Sequence, residues 1–157
     1  MTSVDGQVST LASGITYKPF GPISAMSLGD GNNLNIDYDQ NYRATKLLRA
    51  ASGGSLMDLD FTYDPAGDIT ALNDNVRPER SQISGYDALS RLTSADGGYG
   101  SINYGYNAGG DRTSRDWTKT DGAILTEDYQ YDSATMRLLS VLSDNGAGEV
   151  TPIRAFD

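Results

Sequence analysis

Met57, Leu59, Phe61 and Tyr63 alternate with Asp58, Asp60 and Thr62. Apolar residues on every second position predict a half-buried strand. Asp64-Pro65-Ala66-Gly67 follows directly. Aspartate can accept amides two residues on, proline presets the second position, and glycine tolerates positive φ at the fourth, so this stretch predicts a tight turn between antiparallel strands. Ile69 and Ala71 would carry the return strand. Leu34, Ile36 and Tyr38 alternate in the same way before Asp39, as do Ile102, Tyr104 and Tyr106 before Asn107-Ala108-Gly109-Gly110. Leu125, Tyr129 and Tyr131 share one parity, interrupted by Glu127. Arg91-Leu92-Thr93 and Arg137-Leu138-Leu139 come after the turns. The far ends of the hairpins also carry turn residues: Ser52-Gly53-Gly54, Asp74-Asn75, Asp96-Gly97-Gly98, Asp121-Gly122 and Asp144-Asn145-Gly146. The pattern predicts an all-β chain, a long antiparallel meander with few or no helices. Arg43 to Ala51 has helix-tolerant composition, but its place after Tyr38-Asp39 favours a return strand.

The turns share a signature. Tyr-Asp stands at Tyr38-Asp39, Tyr63-Asp64, Tyr86-Asp87 and Tyr131-Asp132, with degenerate copies at Tyr17-Lys18, Tyr106-Asn107 and Phe156-Asp157. Successive aromatics are 21, 25, 23, 20, 25 and 25 residues apart. Such a period marks a repeat architecture, in which one unit cannot bury its apolar face alone. Residues 1–11 form a flank, and residues 12–157 form the repeat region.

Charge and composition narrow the function. The 157 residues carry a formal charge of −9. An acidic surface opposes sequence-independent nucleic-acid binding and adhesion to anionic membranes. No apolar run is long enough to span a bilayer, and residues 1–20 lack the layout of a secretory signal. The chain has no cysteine and no histidine. Disulfides, thiolate or imidazole metal sites, and histidine-based triads are therefore excluded within it.

A Tyr-Asp pair, two variable residues, a small residue, a polar residue (often Arg), then Leu or Ile resembles the YD repeat. YD repeats occur in Rhs proteins, in the C component of ABC toxin complexes, in wall-associated polymorphic toxins and in teneurins. Asn107 to Ser114 and Tyr131 to Val141 are similar to variants of that unit, and Ile15 to Pro22 followed by Gly29-Asp30-Gly31-Asn32 resembles a segment of bacterial Rhs cores. The resemblance covers roughly residues 12–157. It implies a β-ribbon that spirals into a hollow shell around a C-terminal toxin domain, in a secreted or cell-surface protein. Complete shells need many more repeats, so the chain reads as a wall segment or fragment. It also implies a structural role for Tyr38, Asp39, Tyr63, Asp64, Gly67, Tyr86, Asp87, Arg91, Tyr106, Gly110, Tyr131, Asp132 and Arg137, with no catalytic, cofactor or metal residue. End strands would be unpaired edges, able to join copies of the chain or further shell segments.

Other chemistries compete for a few residues. Asp64-Pro65-Ala66-Gly67 resembles the self-cleavage segment of Rhs-type aspartyl autoproteases, but Asp68 stands where that segment has Leu; a repeat turn explains it better. Asp58/Asp60 or Glu127/Asp128 could form a glycosidase pair, although a solvated strand face accounts for the first, and sequence neighbours point to opposite faces in the second. Asp30-Gly31-Asn32-Asn33 and Asp144-Asn145-Gly146 have oxygen ligands for calcium but match no known loop pattern. The ten tyrosines form either an aromatic ladder between strands or a sugar-stacking surface, and Trp117 is either a strand seam or a ligand platform. An extracellular adhesion or carbohydrate-binding module is accordingly the alternative to a shell.

Overall fold

A computed structural model describes residues 11–19, 21–145 and 150–155. Gly146 and the Phe156-Asp157 copy of the motif lie outside the described residues. Among the described residues there are thirteen strands: β1 (Ala12–Tyr17), β2 (Ile23–Leu28), β3 (Asn33–Tyr38), β4 (Ala44–Ala51), β5 (Gly54–Tyr63), β6 (Ile69–Asp74), β7 (Gln82–Tyr86), β8 (Leu92–Gly97), β9 (Gly100–Tyr106), β10 (Arg112–Thr118), β11 (Ile124–Tyr131), β12 (Leu138–Asp144) and β13 (Val150–Ala155). One turn of 3-10 helix, Pro78–Arg80, interrupts them. Strand order is chain order, and the pairs whose registers are resolved are antiparallel. The Arg43–Ala51 segment is a return strand after its turn, because Leu47 pairs with both Ile36 and Leu59.

The chain forms two compact units, the first of residues 1–62 and 72–78, the second of residues 63–71 and 79–157. In the first, Leu34 lies opposite Met26 and Arg49, and Ile36 opposite Leu47. Direct cross-strand partners share a face, so these apolar residues form one stripe. Asn35, Leu48 and Asp58 run along the other side.

In the second unit the two faces differ more sharply. One carries the rows Ile102, Trp117, Leu125 and Tyr104, Arg115, Glu127, Ser143. The other carries Asn103, Asp116, Thr126 and Asp144. Burial is thin throughout: among the described apolar residues only Ala95 and Val141 are buried. Hydrogen-bond ladders and side-chain clamps must supply much of the cohesion that a two-layer domain takes from its core.

Candidate functional site

The recurring structure sits at the tyrosine–aspartate ends of the hairpins. At Asp87, Oδ1 accepts the amides of Leu89 and Arg91 at 2.9 and 3.1 Å, and Oδ2 accepts Arg91 Nε at 2.6 Å. The backbone closes below it, with Ser90 N donating to Asp87 O and Asp87 N to Arg91 O, both at 3.0 Å. Asp39 repeats this with the amides of Asn41 and Arg43 at 2.8 and 2.9 Å and Arg43 Nε at 2.7 Å. Asp64 takes the amides of Gly67 and Asp68 at 2.8 and 3.0 Å. Asn107 inverts the polarity: its Oδ1 accepts Asp111 N at 2.9 Å, while its Nδ2 donates to Asp111 Oδ2 at 3.0 Å. Asp132 heads a longer turn, in which Thr135 supplies both an amide (2.6 Å) and a hydroxyl (2.8 Å) and Arg137 O accepts Asp132 N.

The residue whose amide closes each of these turns lies in the left-handed region, which glycine favours. Gly67 and Gly110 take φ of 103° and 93° there. Tyr42, Ser90 and Met136 take φ of 60°, 57° and 56° in equivalent places without that freedom, at a steric cost of about 1–2 kcal/mol each. The amides and cations around the carboxylates hold several acids below their ordinary range. At Asp39 the Arg43 amide contributes most to the lowering, and at Asp132 the Thr135 hydroxyl does. At Asp87 desolvation is the largest influence and pushes upward, but the Arg91 and Leu89 bonds together outweigh it.

The tyrosines fasten each turn to the hairpin before it. Tyr38 Oη donates to Ile23 O at 2.9 Å, Tyr86 to Ile69 O at 3.1 Å, Tyr106 to Leu92 O at 2.8 Å and Tyr131 to Arg112 O at 2.8 Å. In every case the acceptor lies at the first residue of the preceding return strand. Tyr63 ends β5 and is half-buried. Arginines add a second link. Arg91 lies over the Tyr106 ring at 4.7 Å and reaches Asn107 O at 3.3 Å. Arg112 lies between Tyr104 and Tyr129, at 4.8 and 5.6 Å from their ring centres. Arg43 and Arg112 were not among the expected site residues. Arg43 follows Asp39 by the same four positions that separate Arg91 from Asp87, and that spacing is the signal that finds it.

The competing chemistries find their groups already engaged. Lys46 Nζ bridges Asp58 and Asp60, and Asn75 Nδ2 donates to both. The Asn75 bond and then Lys46 lower the Asp60 pKa, the opposite of what a general acid needs. Glu127, 7% exposed, is held by Arg115 at 2.7 Å and Tyr129 Oη at 2.9 Å. The Asp30 carboxylate takes Asn32 N, Asn32 Nδ2 and Arg49. Trp117 donates Nε1 to Tyr99 O at 2.8 Å and is flanked by Arg115 and Lys119, which makes it a seam between strands.

Hollows lie at both ends of the hairpins. One of about 290 Å³ lies among Lys18, Pro19, Tyr38, Asp39, Gln40 and Tyr42. Its main polar groups are spent: Tyr38 Oη on Ile23 O, Tyr42 Oη on Pro19 O and Asp39 on its turn. The other, of about 270 Å³, lies at the far end of the hairpins among Glu79, Arg80, Gln82, Gly98 and Tyr99.

No protein-family model matches the chain, and no curated protein matches it. Solved structures do. A crystal structure of TcdB2-TccC3 superposes at a TM-score of 0.66 over 96% of this chain, with 13% identity. The chain has the fold of a stretch of these Tc toxin chains. A Photorhabdus luminescens Tc holotoxin pore gives 0.54 over 92% at 18% identity, and a TcdB2-TccC3-Cdc42 crystal structure gives 0.55 over 96% at 17%. The chain spans 11%, 7% and 8% of those chains. The all-β hairpin-repeat fold implied by the YD resemblance is therefore the fold observed.

Proposed function

We propose that this chain is a non-enzymatic wall segment of an Rhs/YD-repeat shell that encloses a toxin domain in a secreted or cell-surface protein. The fold match to Tc toxin chains over nearly the whole length is the observation that carries this reading. The tyrosine links support it: Tyr38, Tyr86, Tyr106 and Tyr131 each donate a hydrogen bond to the repeat before, a joint that recurs along the chain. The engaged state of Asp58, Asp60 and Glu127 supports a structural rather than a catalytic use of these acids.

The partners are further segments of the same kind, joined through strand edges. β1 has a single neighbour among the described residues, and its Ile15 and Tyr17 are 42% and 62% exposed. Its register with β2 is broken between Ser13 and Tyr17, which restricts pairing to strands that can match the irregularity. Light scattering on the purified chain tests this. Assemblies heavier than the 16.8 kDa monomer, dispersed by Ile15→Lys and Tyr17→Lys, are expected. A monomer at all concentrations overturns the edge-joining part.

A further inference from the structure

We infer that the Arg80–Ser81 peptide bond is a cleavage site for a trypsin-type endopeptidase, one that cuts after a basic side chain. Such an enzyme takes its substrate as an extended strand. A bond is cut readily where its backbone is exposed and little structure must open to free it. Residues 75–81, between β6 and β7, form the longest connection among the described strands, and residues 75–80 are all exposed. The regular structure there is the single 3-10 turn Pro78–Arg80.

The basic residues converge on this one bond. The chain has twelve lysines and arginines. Lys18 and Arg77 precede proline, which has no amide proton and a fixed φ on the far side of the cut. Lys46, Arg49, Arg112, Arg115 and Arg154 lie within paired strands. The carbonyls of Arg43, Arg91, Lys119 and Arg137 accept hydrogen bonds that close their turns. Arg80 remains. It is exposed, and its side chain has no ion-pair or hydrogen-bond partner among the described residues.

The turn is seated rather than woven into the sheet. A Cβ on Gly98 would lie 2.1 Å from Glu79 O, and one on Gly97 would lie 3.1 Å from Ser81 O. The carbonyls on either side of Arg80 thus rest on a backbone that carries no side chain. The cut needs the turn to lift off this seat and β7 to release its first pair, Gln82 with Gly97. Water then adds its hydroxyl to the Arg80 carbonyl carbon, the C–N bond breaks, and the Ser81 nitrogen takes the proton. The hydrogen bond from Tyr86 Oη to Ile69 O would bridge the two resulting chains.

The test is digestion of the folded chain with dilute trypsin, followed by intact-mass analysis. Residues 1–80 and 81–157 are the expected first products, formed about tenfold faster or more than any other internal pair. Arg80→Gln should remove that pair and leave the urea midpoint unchanged. A first cut at Lys119, Arg137 or another internal basic residue would overturn the site, as would loss of intact chain at the same rate in Arg80→Gln. Tyr106→Phe separates opening of the turn from unfolding of the whole chain. If the turn opens alone, the rate at Arg80 changes less than about twofold in that variant. A rise of about fivefold, in step with the variant's lost stability, would contradict presentation by the native fold.

Discussion

The two ends of the hairpins solve the same problem with different consistency. At the tyrosine–aspartate end, Asp39, Asp64, Asp87, Asn107 and Asp132 each cap a turn with their own side chain. The turns at Asp39, Asp64, Asp87 and Asn107 are of equal length and that at Asp132 is one residue longer; the phenols of Tyr38, Tyr86, Tyr106 and Tyr131 fasten four of the five to the preceding strand. At the far end the connections vary. Ser52-Gly53 and Gly98-Tyr99 are two-residue loops, Lys119–Ala123 is a five-residue turn, and Pro78–Arg80 is helical. The constant end carries the period of the repeat. The variable end is released from that task, and its connections differ in length and form.

The largest expected effect marks how uneven the variable end is. Gly100→Ala meets backbone at 2.0 Å with positive φ and should cost about 2–4 kcal/mol in urea unfolding. Gly53→Ala meets nothing within 4 Å and should stay within about 0.5 kcal/mol. Equal effects would break the picture of a tight and a loose far turn.

Comparing carboxylates at the two ends is the next test. Asp87→Ala strips partners from two amides and a guanidinium, whereas Asp121 takes only Ala123 N. The urea midpoint should fall clearly further for Asp87→Ala. Acid tests the held carboxylates as a group. Folded pKa values of Asp30, Asp39, Asp60, Asp87 and Asp132 are lowered, so their contribution is full above the unfolded value of about 3.9 and is lost as pH falls through the lower folded values. A midpoint that holds from neutral pH to about 4 and drops below it is expected. A decline beginning near pH 6 would point to groups other than these.

Smaller effects probe the joint itself. Tyr106→Phe removes the bond to Leu92 O and should cost about 0.5–1.5 kcal/mol. Ser90→Gly relieves a left-handed residue at φ 57° and should gain up to about 1 kcal/mol, net of the extra freedom of the unfolded chain.

Much of this was legible in the residues. Alternation at Leu34–Tyr38 and Met57–Tyr63 marked strands, and Asp64-Pro65-Ala66-Gly67 marked its turn, because both signals are local. The phenol-to-carbonyl links were not legible, since a tyrosine's period does not say where its hydroxyl ends. Beside the aromatic ladder or sugar-stacking surface that the residues suggested, Tyr38, Tyr86, Tyr106 and Tyr131 donate hydrogen bonds and Tyr104, Tyr106 and Tyr129 carry arginine contacts. Glu127 looked like a flaw in an apolar face and is instead matched by Arg115 across the strand. The far-end hollow was invisible, because Glu79, Gln82 and Tyr99 meet only through the 3-10 turn and the close approach at Gly98.

Amide hydrogen exchange tests the contrast between the ends most directly. The amides of Arg43, Gly67, Asp68, Arg91 and Asp111, all accepted by a capping side chain, should be protected as a group, with Gly53 and Gly98 exchanging quickly. Exchange at the capped amides as fast as at Gly53 would contradict the claim that the tyrosine–aspartate end is the structural joint of the repeat.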